Sequence, residues 1–364
     1  MNEGLFFELI RVAVGTQERM SCVPTVEEWL CLYQEASKHT VVGVCFAAVK
    51  EMKDAMPQDL YHRWLSEAAI IQRRNELMNR RCEELARRLS ADGFRNCVLK
   101  GQAAARYYGE LALLRQSGDI DVWMEGGRKR IMKYVESVGK TKEVIQQHAH
   151  LNVFDDVEVE AHFYPSVLQS PWHNRRIQRW FRQQGKTELK FTDAGIACPS
   201  ALFDSVFMLS HIYKHLFSEG IGLRQVMDYY LMLRQAQFDA EEKRLIMEEL
   251  DRFGMGGFAA GMMWVIAYIF MGEAVTNGNV DEECQWLLCK PDESKGKRLL
   301  AEIMASGNFG HYDKRRTRKG GRIQRLIEPM KLTYELSRDY PLEYVFTPIN
   351  RALQRIWLTM HRYK

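Results

Sequence analysis

The chain has 364 residues, of which 46% are apolar and 27% charged. That is length enough for a large core and too apolar for a disordered protein. Its net charge of +4 is too small to imply a polyanionic partner, so local clustering has to carry any such argument. Eight cysteines occur without a C-x-x-C pair, which argues against a structural zinc site and for reduced thiols. Glu3 and Glu8 interrupt the first residues, so no secretory signal is expected there, and a cytoplasmic location follows.

Residues 1–94 read as helices. Thr25 and Glu28 are spaced as a capping box ahead of Trp29, Leu30 and Leu32. After Pro57 come Trp64, Ala68, Ile71, Met78, Cys82, Leu85 and Leu89 at helical spacing, with one step doubled across Asn75. They predict a long amphipathic helix that ends at Asp92-Gly93.

The texture changes at residue 96. Cys97-Val98-Leu99 predicts a short buried strand, and Gln102 to Tyr108 a helix-like segment. Ile120, Val122 and Trp123 mark a second strand, and Arg128 to Val138 a helix. Strand-like stretches follow at about 141–147 and 149–154. Asp155-Asp156 suits a turn, and Val157 to Phe163 alternates as a strand before Pro165.

From Pro199-Ser200 onward helices return: to Phe217, then Gly222 to Gln237, then Asp239 to Phe253. Gly254 to Gly272 carries no charge, which raises the question of a membrane span. Its glycines at 254, 256, 257, 261 and 272 favour a buried helix packed closely on a neighbour. A basic segment, Lys314 to Arg325, precedes a last helix near Pro341 to His361. The expected fold is α+β, a small mixed β-sheet over about residues 95–165 embedded in a mostly helical protein. The expected segments are 1–94, helical; 95–198, the α/β core; and 199–364, helical with the basic loop 314–325.

The chemistry is concentrated in Gly118-Asp119-Ile120-Asp121-Val122. Residues i and i+2 of a strand share a face, so Asp119 and Asp121 project together while Ile120 and Val122 face the core. Paired carboxylates repel unless a cation lies between them, and Mg²⁺ suits such oxygen ligands. On the later strand Glu158, Glu160 and His162 alternate onto one face, and Glu160 beside the aspartates would complete a three-acid cluster. Lys100-Gly101, between a strand and a helix, and Arg115 could meet phosphate, and Gly118 clears space for it.

Leu99-Lys100-Gly101, Arg115 before Gly118-Asp119-Ile120-Asp121, and Glu160-x-His162 together resemble the uncharacterised bacterial nucleotidyltransferase family, within the DNA polymerase beta-like superfamily. The resemblance spans about residues 95–235. It implies an enzyme that uses a nucleoside triphosphate and Mg²⁺, two ions with Mn²⁺ as an alternative, and moves a nucleoside monophosphate to a hydroxyl acceptor. It assigns Asp119, Asp121 and Glu160 as catalytic metal-binding acids, and Lys100, Gly101, Arg115 and Gly118 to the nucleotide. Arg224 and Asp228 fall in an Arg-to-Asp helix motif that closes over the nucleotide. His162 would orient Glu160 or touch the acceptor.

The acceptor could be a small molecule, a sugar phosphate or RNA. The loop 314–325 and a basic-aromatic cluster at Trp172, His173, Arg175, Arg176 and Arg179 are the candidate contacts. Two other readings compete. One is a nucleotide- or partner-binding module on the same fold without turnover. The other is a D-x-D glycosyltransferase, which would need βα units in the helical first ninety residues.

Overall fold

The computed structural model describes residues 3–141, 143–186, 189–192, 196–272, 284–313, 315, 330–331 and 334–361, the last four without side chains. The protein is 66% helical with a small mixed four-stranded sheet, the expected α+β arrangement, and a two-stranded antiparallel ribbon of Lys190–Phe191 and Ala197–Cys198.

Four helices precede the sheet: α1 (Glu3–Val14), α2 (Val26–Lys38), α3 (Val42–Val49) and α4 (Gln58–Ala91). The capping box forms as the spacing predicts, with Thr25 N donating to the Glu28 carboxylate at 2.8 Å and Glu28 N to Thr25 Oγ1 at 3.3 Å. The stripe on α4 is buried from Leu60 to Leu89, and Asn75 is buried within it.

The sheet comprises β1 (Asn96–Val98), β2 (Ile120–Met124), β3 (His148–His150) and β4 (Val159–His162), in the order β1-β2-β4-β3. β1 runs antiparallel to β2, β2 parallel to β4, and β3 antiparallel to β4. A short α5 (Gln102–Ala105) and a 3₁₀ segment Arg106–Leu114 link β1 to β2, and α6 (Gly127–Val138) follows β2.

The two strands expected at 141–147 and 149–154 reduce to β3 and one bridge, Val144 with Ala149. The reason is local. Ile145 N donates to His148 O and His150 N to Glu143 O, each at 2.9 Å, so the first stretch closes a tight loop. Val153 N turns back to Leu151 O at 3.0 Å, which carries the chain off the sheet edge.

Alternation separates the two faces of the sheet. Ile120, Val122, Met124, Val159 and Ala161 pack against the α4 stripe and against Ile131 and Val135 of α6. Asp121, Trp123, Glu160 and His162 occupy the opposite face. That face is roofed by α8 (Ala201–Ser218), with Trp123 stacked on Phe203 at a centroid distance of 5.6 Å.

A larger apolar cluster joins α1 to α3 with α8, α9 (Leu223–Ala236), α10 (Ala240–Arg252) and α11 (Gly256–Met271). The uncharged stretch is α11, buried nearly throughout and packed on the helix Glu293–Ser306. The approach is close: a Cβ on Gly296 would lie 2.5 Å from the Trp264 ring. Among the described residues no helix is long and apolar enough to cross a membrane.

Two helices escape the sequence reading, Glu293–Ser306 and α7 (Pro171–Gln184). The basic-aromatic cluster belongs to α7. Trp172 meets Phe346 at 5.6 Å, and Arg176 donates to the carbonyl of Arg252 at the end of α10, so part of the cluster serves helix packing. Within 314–325 only Arg315 is described, bonded to Glu302 and Asp313; the rest of the basic loop lies outside the described residues.

Candidate active site

The parallel register of β2 and β4 sets Asp121 directly across from Glu160, with Asp119 just before β2. Carboxylate oxygens of Asp119, Asp121 and Glu160 lie within 4.8 Å of one another. Lys100, just past β1, reaches across with Nζ 2.6 Å from Asp121 Oδ1. His162 Nε2 lies 2.8 Å from the same oxygen and 3.3 Å from Glu160 Oε2. Glu158, expected on this face, is exposed and does not line the site.

The charges follow from these neighbours. Asp121 beside it, and then burial, push the Asp119 carboxyl up to about 6. Burial would also raise Asp121, but Lys100 and the His162 bond outweigh it and hold Asp121 below the usual carboxylate range. Glu160 is likewise held well below that range, since His148, His162 and Lys100 overcome burial.

The loop between β1 and α5 turns at Gly101, whose φ of +53° favours glycine. A Cβ on Gly118 would meet nothing within 4 Å. Arg115 is placed differently from a free phosphate ligand. It is buried, with Nε and Nη2 donating to the two oxygens of Asp228 at 2.7 Å each. Tyr108 adds a bond to Asp228 at 2.6 Å. Arg224 donates through Nη1 to the carbonyl of Gln116 at 2.6 Å, and its Nε is buried without a hydrogen-bond partner among the described residues.

These groups line a cavity of about 520 Å³ between the polar face of the sheet and helices α8 and α9. Sequence reasoning missed the roof, where α8 contributes His211, Lys214 and His215. Lys214 Nζ donates to Gln147 Oε1 at 2.5 Å, and burial pushes its ammonium down to about 8. His211 Nδ1 is buried without a hydrogen-bond partner among the described residues. The signal was present: His211 and His215 on the helix and Glu219 at its C-cap repeat every four residues, with Lys214 beside them. His148, also missed, lies across β4 from His162, its Nδ1 3.0 Å from Glu160 Oε2.

A mixed sheet with acids on two adjacent strands, facing a cavity that also holds buried cations, has the features of a site for a cation and phosphate groups. Residues 25–271 match the model of the family described as "Uncharacterised nucleotidyltransferase", and the chain belongs to that family. No curated protein and no solved structure matches the chain.

Proposed function

We propose that the chain transfers a nucleoside monophosphate from a nucleoside triphosphate to a hydroxyl acceptor. The observation that carries this reading is the meeting of Asp119, Asp121 and Glu160 from two adjacent strands over the cavity. Acids on β2 and β4 of a small mixed sheet also support a DNA polymerase beta-like arrangement.

The oxygen donors fit Mg²⁺, a hard cation, and the mutual repulsion that raises Asp119 is what such an ion would relieve. Asp119, Asp121 and Glu160 would hold it, and when bound it supplies positive charge against the phosphates. Lys100, Gly101, Gly118 and Arg224 form the nucleotide side of the cavity. Arg115 acts in this reading by positioning, since its guanidinium is committed to Asp228. Lys214 and His211 on α8 face the departing or arriving group.

Glu160, beside the aspartates, accepts the proton of the acceptor hydroxyl in this reading. The acceptor oxygen then bonds to the α-phosphorus as the bond to pyrophosphate breaks, and Lys100 and Arg224 offset the charge that leaves. The test is incubation of the chain with each α-labelled nucleoside triphosphate, Mg²⁺ and a cell extract. Label should move to an acceptor with release of pyrophosphate, and Asp119→Asn should abolish the transfer. Wild-type transfer by Asp119→Asn would overturn the reading.

One observation favours a second reading, nucleotide binding without turnover. Lys100 and His162 already balance Asp121 without a metal. Magnesium-dependent binding of ATP with no pyrophosphate released would identify that case. The glycosyltransferase alternative is disfavoured, because β1 is the one strand before Asp119 among the described residues.

A further inference from the structure

Glu160 belongs to two clusters. Toward β2 it meets Asp119 and Asp121. Toward β3 it meets His148 and His162, and one donor atom from each of these three residues lies within 4.8 Å of the others. The second cluster is built by register: β3 sets His148 across from His162, and the Val144–Ala149 bridge holds the start of that strand.

The contact between His148 and Glu160 is close. His148 Nδ1 sits 3.0 Å from Glu160 Oε2, within hydrogen-bond reach, and His162 Nε2 lies 3.3 Å from the same oxygen. Donor atoms at this spacing can also serve as neighbouring ligands of one ion. His162 can take the same role by a change of tautomer. Its Nε2, 2.8 Å from Asp121 Oδ1 and 3.3 Å from Glu160 Oε2, would turn a lone pair to an ion on losing its proton, with Nδ1 then donating to the carbonyl of Tyr164 at 3.2 Å. A backbone carbonyl of this kind commonly orients a ligating imidazole. His148 and Glu160 line the 520 Å³ cavity, so an ion has a route in.

We propose that His148, Glu160 and His162 form a binding site for a divalent transition ion, distinct from the all-oxygen site at Asp119 and Asp121 and joined to it through Glu160. Imidazole donors favour Mn²⁺, Fe²⁺, Co²⁺ or Zn²⁺ over Mg²⁺, whereas carboxylates alone suit Mg²⁺. The inference rests on the proposed function only in treating Glu160 as a ligand shared by two positions.

The test uses the full chain and Co²⁺ as probe. Titration of the wild type should produce visible d–d absorption bands, and Zn²⁺ should displace them while excess Mg²⁺ should not. His148→Ala and His148→Asn should lose the bands, and Asp119→Asn should keep them. Pulsed EPR of the Mn²⁺-loaded wild type should show nitrogen hyperfine couplings from imidazole, a readout that needs no variant. Bands of equal strength in wild type and both His148 variants, or an absence of nitrogen coupling, would overturn the proposal. Transfer with Mg²⁺ alone and no Co²⁺ bands would sink this site and leave the proposed function standing. Bands without any transfer would do the reverse.

Discussion

Arg115 and Asp228 form a buried pair with both guanidinium–carboxylate bonds at 2.7 Å, joining the loop before β2 to helix α9. Removing one partner strands the other charge away from water, which costs about 3–5 kcal/mol. Arg115→Ala and Asp228→Ala should each lower stability by that order in urea unfolding. The double change to Met and Leu should recover much of it, because apolar side chains of similar volume leave no unpaired charge. Single and double variants of equal stability would show that the pair is not coupled.

Asn75 interrupts the apolar stripe of α4 for an identifiable purpose. Its Nδ2 donates to the carbonyls of Leu113 and Arg115 at 2.7 Å each, and its Oδ1 accepts from Gln102 at 2.9 Å. Asn75→Leu completes the stripe but leaves these buried groups unpaired, at a cost on the order of 3 kcal/mol. We expect faster amide hydrogen exchange over residues 113–119 and a fall in nucleotidyl transfer. Unchanged exchange in that segment would show that Asn75 does not hold it.

The packing of α11 on the helix Glu293–Ser306 gives a matched pair of glycine tests. A Cβ on Gly296 would lie 2.5 and 2.7 Å from Trp264 atoms, so Gly296→Ala overpacks the contact and should cost about 1–3 kcal/mol. On Gly257 the nearest atom is Lys295 Cε at 3.4 Å, the movable end of a long side chain. Gly257→Ala should therefore stay within about 0.5 kcal/mol of wild type. Thermal melts of the two variants would separate them, and equal melting temperatures would contradict the close approach.

Glu343 supplies a pH dependence. It is buried in the helix Pro341–His361, and it accepts from Gln169 N at 2.8 Å and Ser170 N at 3.1 Å beside the start of α7. Burial pushes its carboxyl up from 4.5 to about 7, against those two bonds. The folded chain therefore keeps a proton that the unfolded chain releases between pH 4.5 and 7. Stability from this group is fully present below 4.5 and declines as pH rises through 7, by on the order of 3 kcal/mol. Glu343→Gln should flatten that part of the stability–pH curve. An unchanged slope would assign the dependence to other groups.

The local elements were legible because their causes are local. The Thr25–Glu28 box, the α4 stripe and the alternation around Asp119-Ile120-Asp121 each depend on periodicity or on a cap within a few residues. α7 was hidden because its apolar residues, Ile177, Trp180 and Phe181, are outnumbered by arginine and glutamine on the exposed side. β3 was misread because a three-residue strand carries too little pattern to set its ends.

The sequence alone determined that acids would cluster on strands: alternation aims Asp119 and Asp121 to one side and Glu160 and His162 to one side, whatever lies nearby. Tertiary structure decided what they meet. Which strand pairs with which, and in what register, depends on long-range packing that no local spacing encodes. That packing put Asp121 opposite Glu160, set Lys100 against Asp121, drew Arg115 away to Asp228, and placed His148 across from His162. A guanidinium 113 residues from its carboxylate is a property of the folded chain, since only burial of both side chains makes that pairing favourable.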